Sequence, residues 1–175
     1  MNAALLGVMG GGFVIAMLAG ATTDVALNED TSIDTQGNID AMLALILEGE
    51  SSHNYRAIVG GGSFGSYATH PGLRVDDSPE PGFLPGKASH AAGGYQFQPG
   101  TWLECKRALS LHDFSPASQD AAAIYLMKRR GAYEAAANGQ AAIAADLLKN
   151  EWEMFQTWTV SRVEKAFNEY GGTLA

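Results

Sequence analysis

Glu48 closes an apolar run, Ile39–Leu47, and is followed at once by Gly49. Ile39, Met42, Leu43, Ile46 and Leu47 recur at the helical period, which predicts one buried face. A carboxyl at the buried end of such a helix loses part of its hydration. Its neutral form is then favoured and its pKa rises, as a proton donor requires. The competing reading is a solvated last-turn glutamate before a glycine stop. An acidic residue at the negative end of a helix is disfavoured, however, so the placement carries a cost that function would explain. Glu50 is the rival carboxyl, but it lies past Gly49, where solvent is expected, and burial is what raises a carboxyl pKa. Asp76, Asp77 and Glu80 fall in a proline-rich stretch and read as surface charges rather than as a second catalytic carboxylate.

The other reactive residue types lead nowhere comparable. His53, His70, His90 and His112 lack metal-ligand spacing and no carboxylate cluster joins them, so neither a metal nor a cofactor is expected. Cys105 is the single cysteine, which rules out an intrachain disulfide. It falls inside a predicted helix, where a small buried residue is the expected role. No Ser-His-Asp order is evident, and an amidase or peptidase reading is poor. The formal net charge of −8 excludes nucleic acid as a partner, since phosphate binding needs a basic face.

The elements that must position these residues follow from pattern. At 175 residues, 46% of them hydrophobic, the chain can hold one domain with a real core, expected as a monomer. The first helix, ending at Glu48, opens a catalytic domain at residues 39–175. Ala57-Ile58-Val59 before Gly60-Gly61-Gly62 predicts a short strand and tight turn, with Phe64–Tyr67 as the return strand. Pro71–Pro85 holds four of the six prolines and reads as a long surface loop. Beyond it the chain is helical, over Pro99–Leu109, from Ser115-Pro116 to Arg130 with Gly131 as stop, over about Gln140–Trp152, and over about Val160–Tyr170 before Gly171-Gly172. Trp102, Trp152, Phe155 and Trp158 belong to the helical core or its edge. Gln119 and Asp120 lie near a helix start, where capping and dipole effects account for them. The fold class is α+β and mostly α.

Two segments precede the domain. Residues 3–21 carry no charged side chain and would span about 28 Å as a helix, close to bilayer thickness. Ala19-Gly20-Ala21 fits a signal cleavage site, yet no Lys or Arg precedes the apolar run. Gly7, Gly10, Gly11, Gly12 and Gly20 weaken both helix propensity and insertion. Residues 1–22 are therefore read as a signal-anchor or signal segment engaging the inner membrane, the alternative being a helix packed inside a virion. Residues 23–38 are polar and acidic without a periodic apolar face, and read as a linker.

An ordered series of short motifs runs through the rest. Leu47-Glu48-Gly49-Glu50 is followed by Tyr55, Ile58-Val59-Gly60-Gly61, Phe64, Tyr67 and His70-Pro71. Then come Ala92-Gly93-Gly94-Tyr95-Gln96-Phe97, Trp102, Asp113-Phe114-Ser115-Pro116, Ser118-Gln119-Asp120, Arg130-Gly131-Ala132 and Gly171-Gly172-Thr173. From about Ile39 to Thr173 this order resembles the bacteriophage lambda endolysin family, which are lysozyme-like lytic transglycosylases.

That resemblance implies a lysozyme-like fold in which a small β lobe and a helical lobe flank a substrate cleft. It implies a peptidoglycan-degrading enzyme for host lysis, cleaving between N-acetylmuramic acid and N-acetylglucosamine and forming 1,6-anhydromuramic ends. Glycan strands are its partner. The match places the family's single glutamate at Glu48. Some members carry a signal-anchor that later releases, placing the protein at the host inner membrane and periplasm; entry from the virion and a hydrolytic muramidase are the alternatives. Gly93, Tyr95 and Gln96 can offer close backbone approach, a ring face and amide hydrogen bonds to sugar. They can equally form a turn and a core tyrosine. Tyr55 and Tyr67 are candidate pyranose platforms or half-buried strand tyrosines. His70 either meets substrate or fixes a loop. Three departures stand out. The segment between Gly49 and Tyr55 is shorter than in the lambda protein, Gly94 replaces an Arg, and Arg56 and Thr69 stand where acidic or amide residues are common.

Overall fold

The computed structural model describes residues 33–175; the apolar segment 1–22 and most of the linker lie outside them. Seven helices carry the domain: α1 (Thr35–Ser51), α2 (Pro99–Leu109), α3 (Pro116–Arg129), α4 (Tyr133–Ala137), α5 (Ala141–Leu148), α6 (Met154–Thr157) and α7 (Val160–Glu169). α1 is the central element. Ala41, Met42, Leu45 and Ile46 are all buried, which leaves the helix apolar on most sides and enclosed by α3, α4 and α7.

α1 departs from the sequence reading at both ends. It starts at Thr35, capped by Asp34, whose Oδ1 accepts from the Gly37 N–H at 2.9 Å. The last four residues of the expected linker are thus helical. Asn38 is buried there, donating to the Ala137 carbonyl at 3.0 Å and accepting from the Thr173 N–H at 2.7 Å. At the other end Gly49 does not stop the helix. α1 runs two residues further and closes on Ser52, in left-handed conformation at φ 52°, with the Ser52 N–H on the Glu48 carbonyl and the His53 N–H on that of Leu47. Glycine is required at position 49 for another reason. A Cβ there would collide with the Met154 thioether and press on the Trp158 ring, so Gly49 lets α6 approach α1.

The β lobe is smaller than the expected hairpin. Among the described residues it consists of isolated bridges, Ala57 with Ser63, Ile58 with Ala92, Ala92 with Phe97 and Leu73 with Pro79. Gly60, Gly61 and Gly62 turn the chain at φ 81°, 102° and 97°. The return strand at Phe64–Tyr67 does not form. The Arg56 guanidinium takes the carbonyls of Phe64 at 3.2 Å and Gly65 at 2.6 Å, and lies 3.9 Å over the Tyr67 ring. A side chain therefore occupies the acceptors a neighbouring strand would use.

α2, α3 and α7 match their sequence signals to within a residue. Pro99 opens α2, Ser115 caps α3 by accepting from the Ser118 N–H, and Thr159 caps α7 by accepting from the Arg162 N–H. α5 is shorter than expected, ending at Leu148 instead of Trp152. The chain leaves the helix so that the Trp152 indole can donate to the Tyr95 carbonyl at 3.0 Å and Glu151 can meet Arg129 and Arg130. An aromatic cluster joins the lobes, with Trp102 edge-on to Phe114 at 4.6 Å between ring centres and Phe97 and Tyr95 beside them.

Candidate active site

A cleft of about 800 Å³ runs between the β lobe and the segment joining α5 to α6. Ile58–Gly61 form one wall, Ser89, Ala91, Gln96 and Gln98 the floor, and Lys149–Glu153 the facing wall. Glu50 projects into it from the last turn of α1. The trailing turn that carries Glu50 exists because α1 continues through Gly49.

Glu50 carries the raised carboxyl pKa that the sequence reading expects of Glu48. Its carboxyl is half-buried and its pKa is pushed up to about 7. Loss of hydration is the largest cause. The backbone N–H of Met154, directed at the carboxyl, opposes the rise, and the nearby Glu153 charge adds to it.

Glu48 is elsewhere. It is exposed, does not line the cleft, and accepts a 2.5 Å hydrogen bond from the Tyr170 hydroxyl, which lies 2.9 Å from His53 Nε2. That bond to Glu48 pushes the Tyr170 phenol up to about 12. The burial expected of Glu48 is not found, because two helical residues separate the carboxyls by about 200° around the axis. The cluster of Glu48, His53 and Tyr170 ties the end of α1 to the end of α7.

Of the other candidate site residues, the cleft receives one. Gln96 lines it, in left-handed conformation at φ 50°, with its amide donating to the Gly93 carbonyl at 2.8 Å. Gly93 is buried at φ 85°, and a Cβ there would strike Gln119 and Phe114, so it serves the turn and the packing behind the cleft. Gly94 donates to Gln119 Oε1 at 2.8 Å and leaves no room beside Leu47 for the arginine of the family pattern. Tyr95 is a core residue at 1% exposure. Its hydroxyl and that of Tyr55 both donate to Asp120 Oδ1, at 2.7 and 2.6 Å. Burial first, and the Asp120 charge next, raise both phenols. Tyr67 is half-buried beneath Arg56 and outside the cleft lining.

His70 is wholly buried, its Nε2 2.8 Å from the Phe97 carbonyl and its Nδ1 accepting from the Gly72 N–H at 3.0 Å. Those contacts fix the tautomer with the proton on Nε2, and burial pushes the imidazole down to about 4. It is a neutral loop clamp rather than a sugar ligand. Gln119 and Asp120 do more than cap a helix. Gln119 is fully buried, and its Nε2 donates to the carbonyls of Tyr55 and Phe114 while its Oε1 holds Gly94. Together they bind α3 to the floor of the cleft. Among the described residues no group of His, Cys, Asp or Glu could hold a metal.

A central helix closing on two glutamates, beside a groove between a small β lobe and a helical lobe, is the architecture of a lysozyme-like glycosidase. The comparisons with known proteins agree. The Endolysin family model matches residues 43–173. The endolysin of Escherichia phage lambda is 35% identical over 131 residues, covering 70% of this chain and 78% of the relative. That of Escherichia phage P2 is 34% identical over 134 residues, covering 69% and 80%. Among solved structures, bacteriophage lambda lysozyme complexed with a chitohexasaccharide superposes with a TM-score of 0.68 at 29% identity, over 79% of this chain and 97% of the other. A second structure of lysozyme from bacteriophage lambda gives 0.66 at 26% identity over the same shares. The chain belongs to the Endolysin family, and it is a peptidoglycan-degrading glycosidase of lysozyme-like fold.

Proposed function

We propose that this enzyme cleaves the β-1,4 bond between N-acetylmuramic acid and N-acetylglucosamine as a lytic transglycosylase, with Glu48, where the family's single glutamate falls, as its acid and base. The observation that carries the reading is the position of Glu48 within the matched Endolysin region, at the end of α1, where its carboxyl accepts from the Tyr170 hydroxyl at 2.5 Å. Its protonated carboxyl gives a proton to the glycosidic oxygen as the bond to the muramic anomeric carbon breaks. The carboxylate then takes the proton of the muramic 6-hydroxyl as that oxygen bonds to the same carbon. A 1,6-anhydro ring closes and Glu48 is regenerated. Because the attacking hydroxyl belongs to the substrate, proximity favours it over a loosely held water.

Gln96, Gln98 and Ser89 present amide and hydroxyl groups to the N-acetyl and hydroxyl substituents of the sugars, and Gly60 and Gly61 allow close backbone approach. The chitohexasaccharide held by the similar lambda lysozyme supports an extended oligosaccharide in the corresponding groove. The acidic balance of the chain gives no long-range attraction to the wall, so affinity rests on this shaped groove. The role is lysis of the host by a monomer that residues 3–21 hold at the inner membrane, with the domain on the periplasmic side. The support for that placement is an uncharged segment of spanning length.

Mass spectrometry of a peptidoglycan digest tests the chemistry. The expected products end in 1,6-anhydromuramic acid, one water lighter than hydrolysis products, while chitin oligomers are bound but cleaved poorly. Reducing muramic ends as the main product would contradict the transglycosylase reading and make the enzyme a muramidase.

A further inference from the structure

Glu48 in the last turn of α1, His53 just past its cap and Tyr170 at the end of α7 meet in one cluster. The Tyr170 hydroxyl has a single hydrogen, and it goes to Glu48 Oε2 at 2.5 Å. His53 Nε2, 2.9 Å from the same hydroxyl, is then left to donate, which places the imidazole proton on Nε2. The two rings also pack edge to face, with 5.3 Å between their centres. The chain holds the imidazole there at a cost. Ser52 and His53 both lie in left-handed conformation, at φ 52° and 60°, where glycine is the easier residue. Glu48 Oε1 accepts no hydrogen bond among the described residues.

We propose that Tyr170 is a positioning residue for the proton-cycling glutamate, with His53 acting through it, so that Oε2 is held and Oε1 is the atom that gives and takes the proton. Glu48 is exposed, and a glutamate side chain in solvent samples many rotamers. A charge-assisted bond from a phenol, itself steadied by an imidazole, narrows them to those that keep the bond. The two carboxylate oxygens thereby become inequivalent. Oε2 keeps its partner, while Oε1 is free to protonate the glycosidic oxygen and then to receive the proton of the muramic 6-hydroxyl. Tyr170 acts through Glu48 and not on the sugar. The inference rests on the reading of Glu48 as acid and base, and adds which oxygen works and what holds the other.

Steady-state kinetics of the full chain on soluble peptidoglycan fragments test this, comparing Tyr170→Phe, His53→Ala, the double variant and Glu48→Gln. Tyr170→Phe keeps the ring and removes only the hydroxyl. It should lower kcat by about tenfold and leave KM within about twofold, since a misdirected catalytic group slows chemistry rather than binding. His53→Ala should lower kcat by about threefold, and the double variant should be no slower than Tyr170→Phe, because His53 acts only through that hydroxyl. The carbon resonance of the Glu48 carboxyl should move in Tyr170→Phe while that of Glu50 stays. Wild-type kcat in Tyr170→Phe, or losses that simply add in the double variant, would overturn the inference. A fully active Glu48→Gln would remove the reading of Glu48 and the positioning role with it. An inactive Glu48→Gln beside an unchanged Tyr170→Phe would overturn the inference alone.

Discussion

Glu48 and Glu50 occupy opposite faces of α1. Glu48 accepts from Tyr170 at the outer end of α7, and Glu50 faces the cleft beside Met154. One helix turn therefore carries a carboxyl that joins two helix ends and a carboxyl whose proton affinity is tuned. The difference arises from helix geometry and from Gly49 between them, which lets α6 close over one face only.

Gly49→Ala sets two known effects against each other. An alanine in a helix interior gains about 1 kcal/mol over glycine. Here its methyl meets Met154, and overpacking costs about 1–3 kcal/mol. The net expectation is a small loss of thermal stability together with a loss of clearing rate, because the displaced end of α1 carries Glu48. Calorimetry and a clearing assay on the purified variant check both; a stabilised variant of full activity would contradict the role given to this glycine.

Stability against pH follows from Glu50 and His70 with opposite signs. Glu50 is held at about 7 in the folded state against an ordinary 4.5, so the folded chain keeps a proton that the unfolded chain releases, and stability falls as pH rises through that window. His70 is held at about 4 against an ordinary 6.5, so the unfolded chain binds the extra proton, and stability rises as pH rises from 4 to 6.5. Glu50→Gln removes the first effect and exposes the second. It should raise stability by about 1–2 kcal/mol at pH 8, the full shift being discounted for solvent screening, and by little at pH 4. Thermal melts of both proteins from pH 4 to 8 measure this. A uniform offset across the range would mean that Glu50 is not held protonated.

The N-terminal segment makes a separate prediction. Full-length protein expressed in a bacterial host should sediment at least in part with membranes, and a chain starting at Thr23 should stay in the soluble fraction and fail to lyse cells from within. Equal solubility of the two forms would remove the anchor. A mature N-terminus at Thr22 would mark a cleaved signal.

Much of the helical frame was legible because its signals are local. Ser115-Pro116, Thr159 and Pro99 start helices by capping or by fixed φ, and these work without tertiary help. Gly49 misled for the same reason. In sequence it reads as a stop, while in the fold its missing side chain admits Met154 and Trp158, a contact across more than a hundred residues. Reading the helix two residues short put the burial on Glu48 instead of Glu50. Tyr55 and Tyr95 looked like sugar platforms because nothing local shows that Asp120 can accept both hydroxyls and let the rings go inside. The facing wall at Glu151–Glu153 carries no motif, and it was recoverable only from the hydrogen bond between Trp152 and Tyr95 that turns it toward the cleft.

Glu48 is proposed to give and recover the proton. The most direct test of that role is the clearing rate of purified peptidoglycan by Glu50→Gln and Glu48→Gln, each shown to be folded by circular dichroism. Glu48→Gln keeps the size and polarity of the side chain but cannot cycle a proton, and should lose at least about a hundredfold in rate. Glu50→Gln should retain most of the wild-type rate. A Glu48→Gln enzyme of near-full activity, with Glu50→Gln inactive, would contradict the account.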